Sequence, residues 1–199
     1  MTDAEFTELA AERVVLRRFT AADLPAFAAY RSDPEIARYQ SWEPPFPLAK
    51  AEVMLTELAE IHPDTPGEWY QFAVALRESG ELIGDCAAHP LADDPRQAEI
   101  GFTFAPASQG RGYATEAVRR LLEYLFRERD KHRVSANCDD RNVRSAALLR
   151  RVGMRREGLL VESTWAKGEW TNDELYAVLR REWLDPRQGS GPRIRDRGE

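Results

Sequence analysis

Between Gln109 and Thr115 the chain reads Gln-Gly-Arg-Gly-Tyr-Ala-Thr, with two glycines at what reads as the mouth of a helix. The chemistry this arrangement allows is anion binding. The first N–H groups of a helix have no internal partner, and the aligned peptide dipoles leave partial positive charge there. Glycines at 110 and 112 let a phosphate approach the backbone with no Cβ in the way. One anion so placed gains about 0.3–2 kcal/mol from the dipole before hydrogen bonds are counted. A plain tight turn would use the same glycines, so the segment reads as a pyrophosphate seat or as a turn only. It is not the common nucleotide loop, because neither GxxxxGK[ST] nor a helix-opening GxGxxG occurs. The missing P-loop lysine speaks against a nucleotide-binding regulatory domain.

Few other residues have chemically suggestive spacing. His62, His89 and His132 are scattered without ligand spacing, so no metal is expected. Cys86 and Cys138 sit in strand-like apolar segments and read as reduced core residues rather than a disulfide. Asn142 follows Asp139-Asp140-Arg141 and reads as a helix N-cap.

The turn has to be held by a strand before it and a helix after it, and both patterns are present. Ala98, Ile100, Phe102 and Phe104 alternate with Glu99, Gly101 and Thr103, and Pro106 stops the strand. Ala114, Ala117, Val118, Leu121, Leu122, Leu125 and Phe126 then recur at helical spacing. Upstream, Trp69 to Leu76 and Leu82 to Ala88 read as a hairpin about Glu78-Ser79-Gly80-Glu81. Val14, Leu16 and Phe19 suggest a first strand, Thr20-x-x-Asp23 a capping box, and Asp33-Pro34-Glu35 a second helix start. Leu48 to His62 carries a helical stripe. Before it, Glu43-Pro44-Pro45-Phe46-Pro47 is a stiff loop whose aromatics either line a pocket or simply hold the loop down.

Downstream, Arg133 to Cys138 is a strand, and a short helix runs from Val143 to Gly153. Strands near 155–164 and 171–180 flank a turn at Ala166-Lys167-Gly168-Glu169. This is an α/β (α+β) chain with one domain over 12–184, a flexible arm over 1–11 and a polar, disordered tail over 185–199.

The formal charge of −6 argues against a general basic surface for nucleic acid and suits cationic acceptors such as amines. No apolar run approaches the ~20 residues of a membrane span, and the first residues lack a signal-peptide pattern. The expectation is a cytoplasmic protein, without nucleic-acid or membrane partners.

Three motifs resemble the GCN5-related N-acetyltransferase (GNAT) superfamily, in the branch of ribosomal-protein N-terminal acetyltransferases (RimJ/RimL-like). They are Gln109-x-x-Gly112-x-Ala114, Asn142-x-x-Ser145-x-x-Leu148-Leu149-x-x-x-Gly153-Met154, and Asp173-x-x-Tyr176 followed by Glu182-Trp183. The resemblance covers about residues 12–184. It implies a GNAT fold with a central mixed, mostly antiparallel sheet of six to seven strands and helices on both faces.

The same resemblance implies acetyl-CoA held where strands 97–104 and 133–138 splay apart, with coenzyme A as product. The pyrophosphate would rest on Gln109, Gly110, Arg111, Gly112, Tyr113, Ala114 and Thr115. Arg111 is equally a solvated side chain or a 3′-phosphate contact. The pantetheine would pair with the edge at Phe102, Thr103 and Phe104, and Asn142 and Ser145 would meet its thiol end.

Transfer to an amine needs the amine neutral. At pH ~7.4 this costs about 4 kcal/mol for a lysine-like amine and under about 1 kcal/mol for an α-amine. Glu99 is the candidate base, or else a solvent-facing strand residue. Backbone N–H groups near Phe102–Phe104 would polarise the thioester carbonyl. The family's usual acid, a Tyr seven residues after the helix-opening Asn, is replaced by Leu149, which leaves Ser145 or Tyr176 as substitutes. Trp42, Glu43, Trp69, Glu162, Trp165 and Asp173 are candidates for the acceptor site. The acceptor would be a primary amine, on a small molecule or a protein N-terminus, attacking directly in a ternary complex. Two other readings are a catalytically silent CoA-binding module and a succinyl-CoA-using relative. The chain would be a monomer, or a homodimer through a sheet edge.

Overall fold

In the computed structural model, residues 6–185 are described. Strands β1 (Glu8–Ala10), β2 (Val14–Arg17), β3 (Tyr70–Leu76), β4 (Leu82–Pro90), β5 (Gln97–Phe104), β6 (Arg133–Asp139), β7 (Arg155–Ala166) and β8 (Glu169–Leu179) build one sheet. Its order is β1-β2-β3-β4-β5-β6-β8-β7. Every pairing is antiparallel except that of β5 with β6. The helices are α1 (Leu24–Arg31), α2 (Pro34–Ala37), α3 (Leu48–Ala59), α4 (Tyr113–Glu123), α5 (Val143–Arg151) and α6 (Arg180–Leu184).

The sheet is mixed and mostly antiparallel, as expected, but it has eight strands rather than six or seven. The additional strand is β1, inside the segment expected to be a loose arm. Leu9 is buried there, and Phe6 packs edge-on against Tyr70, Phe72 and Tyr124. A strand of three residues carries too few side chains to show periodicity. The last strand ends at Leu179, and Arg180–Leu184 is helical, with Glu182 accepting from the Leu179 N–H. Residues 186–199 of the expected tail lie outside the described residues.

The alternation read at 97–104 sets which face does what. Cys86 lies opposite Phe72 and Phe102, and Tyr124, just past α4, packs edge-on to Phe72, so this face looks toward α4. Asp85, one residue earlier, points to the other face and bonds Tyr30 of α1. Helices therefore cover both faces. The apolar stripe of α4 is fully buried through Ala117, Val118, Leu121 and Leu122, then loosens into a π-helical turn over Tyr124–Glu128. Glu116 ties its first turn to the start of β2, accepting from the Arg13 and Val14 N–H groups at 2.5 and 3.2 Å.

Strands β4 and β5 pack closely at Gly84. A Cβ there would lie 2.4 Å from the Thr103 carbonyl oxygen. Gly84→Ala should cost about 1–3 kcal/mol through overpacking, read as a lower midpoint in urea unfolding at unchanged slope.

Candidate active site

The site begins where the central pair comes apart. β5 and β6 pair only at Gln97–Arg133, Ala98–Val134 and Glu99–Ser135. Beyond that point β5 stays with β4 as far as Phe104, and β6 stays with β8 as far as Asp139. Ala105 donates to Ile83 across β4. By alternation Thr103 and Gly101 also bond toward β4, so the backbone groups of Phe102 and Phe104 face the gap. The Gln109 amide closes one of them, donating to the Phe104 carbonyl at 3.0 Å. The remaining edge is free for an added extended chain.

A cleft of about 830 Å³ passes through this gap. On the α4 and α5 side it meets Phe102, Cys138, Asn142 and Ser145. On the α1 side it meets Asp85, Glu99, Gly101, Asn137 and Asp173, roofed by Trp42, Glu43 and Trp69. A broader concavity of about 1260 Å³ runs along α4 from Gly110 to Glu128.

The Gly-rich turn lies at the start of α4 with Gly110 and Gly112 at φ +75 and +84. No side chain caps this helix, so its first N–H groups remain for an anion. The surroundings are basic. Arg151 reaches Thr115 at 3.3 Å, Arg144 donates to the Gln109 side chain at 3.1 Å, and Arg119 donates to the Arg151 carbonyl. Sequence reading missed this rim, because Arg144 and Arg151 arrive from α5, a different element. Arg111 is exposed, its carbonyl taken by Arg13, and Tyr113 lies under the Arg13 guanidinium at 4.8 Å. These two side chains line neither concavity.

Asn142 does cap α5, accepting from the Ser145 N–H at 3.2 Å. Its amide NH2 and the Ser145 hydroxyl have no partner among the described residues, and both residues line the cleft. Capping and ligand contact are therefore compatible in one residue. Phe104 is buried, and its contribution to the gap is backbone.

Glu99 is half-buried in the cleft wall, and burial raises its carboxyl above the ordinary 4.5 against a smaller lowering by His89. Trp69, just before β3, lies in a row with His89 of β4 and Glu99 of β5, its ring stacked on His89 at 4.9 Å. The nearby Asp139 behaves oppositely, held low by Arg141. Cys138 lines the cleft, but burial and neighbouring carboxylates push its thiol up to about 12, so it stays protonated.

Three candidates are not brought to the cleft. Tyr176 is buried under α5, its hydroxyl donating to Glu174 at 2.5 Å and its phenol pushed up to about 12. Trp165 packs on Trp170 at 5.4 Å on the exposed β7–β8 hairpin. Glu162 sits at a bulge where β7 slips against β8, at φ +48. The slips in β7 change which face Glu162 and Trp165 take, whereas Tyr176 lies on β8 in unbroken register with β6.

Three residues were missed: Arg31 and Asp85 line the floor of the cleft on the α1 side, and Tyr30 holds Asp85 from behind. Asp85 accepts from Tyr30 at 2.6 Å and from Arg31 at 3.2 Å. The available signal was a lone carboxylate in the apolar strand Leu82-Ile83-Gly84-Asp85-Cys86-Ala87-Ala88. Trp42 both lines the cleft and anchors its loop, donating to the Arg31 carbonyl at 2.9 Å.

A parted parallel pair, a Gly-rich helix start beside it and a half-buried carboxylate where the pair opens suit an acyl-CoA-dependent transferase. The family description "Acetyltransferase (GNAT) domain" matches residues 13–155, and the chain belongs to the GNAT family. An uncharacterized N-acetyltransferase of Bacillus subtilis, YnaD, is 31% identical over 175 residues, covering 86% of this chain and 96% of that protein. The crystal structure of a GNAT-family acetyltransferase from Bacillus anthracis superposes with a TM-score of 0.78 at 28% identity, covering 88% of this chain and all of that one. The [Ribosomal protein uS5]-alanine N-acetyltransferase of Escherichia coli is 31% identical over 88 residues, 44% of this chain and 45% of that protein. The protein is an acetyl-CoA-dependent N-acetyltransferase.

Gly112 combines a left-handed backbone with a Cβ position 3.3 Å from the Arg13 guanidinium. Gly112→Val should lower CoA affinity at least about tenfold, or 1.4 kcal/mol, by calorimetric titration. Retained affinity would mean that the phosphates lie elsewhere.

Proposed function

We propose that this enzyme acetylates a primary amine that enters from the α1 side of the sheet, with Glu99 as proton acceptor. The observation that carries the reading is the position of Glu99. It stands at the last paired residue of β5, where the sheet opens, with its carboxyl raised by burial. The branch suggested by the sequence, that of enzymes acting on ribosomal-protein N-termini, is supported by the partial match to the uS5-alanine enzyme. Both a protein N-terminus and a small-molecule amine remain within the reading.

The residues present fit acetyl-CoA. Gly110, Gly112 and the uncapped start of α4 suit a pyrophosphate, with Arg144 and Arg151 beside them. The free edge at Phe102 suits an amide-bearing arm, and Asn142 and Ser145 offer unpartnered polar groups at its end. When bound, acetyl-CoA supplies the acyl group as a thioester.

The chain's own part is to exclude water, orient the amine and take its proton. Trp42 and Trp69 cover the acceptor side. Glu99, made less acidic than an ordinary carboxylate by burial, holds a proton more readily than an exposed one would. The protonated Cys138 thiol makes an acyl-enzyme the poorer route, and the amine itself is the nucleophile. On the thiol side, the Ser145 hydroxyl is a proton donor lining the cleft beside Cys138, whereas Leu149 is buried and Tyr176 faces Glu174.

Two measurements test this. In a thermal-shift series, acetyl-CoA and CoA at 100 times Kd should each add about 2.7 kcal/mol of stability, while ATP and NAD leave the midpoint unchanged. In a pH series, kcat/KM should rise through a group ionising above 4.5. Glu99→Gln should remove that limb and lower turnover by about 10²–10⁴-fold without altering CoA binding. An unchanged limb would exclude Glu99 as the base.

A further inference from the structure

The floor of the acceptor side holds a buried cation whose hydrogen-bonding capacity is mostly unspent. Arg31, the last residue of α1, is 6% exposed and lines the cleft. Its guanidinium lies 4.1 Å from the Trp42 ring centre, 4.3 Å from Phe27 and 5.4 Å from Phe46. A guanidinium carries five N–H donors in a rigid fork. Here Nη2 donates to Asp85 at 3.2 Å, and the guanidinium also interacts with the Tyr30 hydroxyl behind it. Nε is buried without a partner, and Nη1 makes no hydrogen bond among the described residues.

The group is also held from behind. Asp85 is fixed by the Tyr30 hydroxyl at 2.6 Å, and Tyr30 is buried in α1. The other cations of the cleft are already engaged. Arg141 binds Asp139 and Glu169, and Lys167 donates to the Ala37 and Trp42 carbonyls. Arg38 is exposed over Tyr39. Arg31 is thus the preorganised donor on the acceptor side.

Its position relative to Glu99 follows from the strand register. On the α1 face, His89 pairs with Glu99, Ala87 with Gly101, and Asp85 with Thr103. The middle row is a hollow, since Gly101 has no side chain and a Cβ there would meet nothing within 4 Å. At about 3.3 Å per residue, each flanking row stands about 7 Å away. An acceptor seated over Gly101 therefore has the Glu99 carboxylate on one side and the Asp85-held Arg31 fork on the other.

We propose that Arg31 binds an oxygen of the acceptor, which makes the preferred acceptor an α-aminoacyl compound: an amine with a carbonyl or carboxylate oxygen beside it. The inference rests on the N-acetyltransferase reading above and narrows its acceptor. An α-amine also needs the weaker base, since its pKa of about 7.7–8.0 lies near neutrality. A polyamine presents only N–H donors and methylenes to Arg31 and leaves the fork unpaired. Sites built to hydrogen-bond a substrate group discriminate strongly against analogues that lack it.

The test uses the full chain and four acceptors: phenylalaninamide, phenylalanine, phenethylamine and spermidine. The expected result is a kcat/KM, expressed per neutral amine so that the differing amine pKa values cancel, for one or both aminoacyl compounds at least 100-fold above phenethylamine and spermidine. Preference between the amide and the free acid separates a peptide N-terminus from an amino acid. Arg31→Gln should bring that ratio below tenfold, mainly through KM of the oxygen-bearing acceptor, and Arg31→Lys should restore part of it. The acetyl-CoA thermal shift should persist in both variants. Equal use of phenethylamine or spermidine by the unaltered protein overturns the inference. So does a folded, CoA-binding Arg31→Gln enzyme that keeps the preference, or intact CoA binding with no aminoacyl turnover. If the Arg31 variants fail to fold, the comparison in the unaltered protein decides alone. Loss of any CoA shift in the unaltered protein would instead overturn the cofactor reading itself.

Discussion

Everything at the site depends on one pairing that stops. A parallel pair inside a sheet would ordinarily continue for the length of its strands, because unpaired buried backbone groups are costly. Here β5 and β6 share three residue pairs and then separate, each kept in place by its other neighbour. The antiparallel partners β4 and β8 run the full length of the parted segments, so the gap does not propagate into the sheet. What remains is a row of backbone donors and acceptors with nothing to bind. The Gln109 amide satisfies one of them at Phe104. That bond also fixes the Gly-rich turn against the strand end and, through Arg144, against α5. The two helix starts beside the gap are thereby set by the same missing ladder.

The carboxylates around the opening differ because their surroundings differ. Asp139 and Glu99 both line the cleft, yet Arg141 lowers the first and burial raises the second. Asp85 is buried more completely and raised too, against the pull of Arg31 and Tyr30. A buried ion pair contributes little net stability once desolvation is counted. Its retention beneath the acceptor side is better explained by orientation, since the pair holds a guanidinium in one place within an aromatic cage. The acidic and basic groups of the cleft thus divide into those that neutralise one another and those left facing the opening.

The elements around the Gly-rich turn were legible in the sequence, and the α1 side of the cleft was largely not. The Gly-rich turn, the strand before it, the helix after it and the cap at Asn142 are local patterns, each encoded within a few neighbouring residues. Their positions agree with the structure nearly residue for residue, as at Gln97–Phe104. Arg144 and Arg151 were not legible, because their nearness to the turn depends on how α5 packs against α4. Tyr176 was misplaced for a similar reason. It belongs to a regular strand, but the sequence does not say that its face lies under α5 rather than over the cleft. The long β7–β8 hairpin carries register slips at Arg156/Gly158 and Leu160/Thr164, and alternation cannot be followed across such a break.

The acceptor side is hard to read because no single segment makes it. Its floor comes from α1 and β4, its wall from β5, and its roof from the proline-rich loop. The hairpin tip joins that roof by Lys167, whose ammonium reaches the Ala37 and Trp42 carbonyls across 130 and 125 residues of chain. Each piece is anchored by something other than a ligand: Trp42 by the Arg31 carbonyl, Phe46 by Ser32, Asp85 by Tyr30. Substitutions there would change the acceptor pocket without touching the parted strands. The two sides of the cleft meet along the parted edges of β5 and β6. Arg31, the residue proposed to select the acceptor, lies on the α1 side, where local sequence patterns say least.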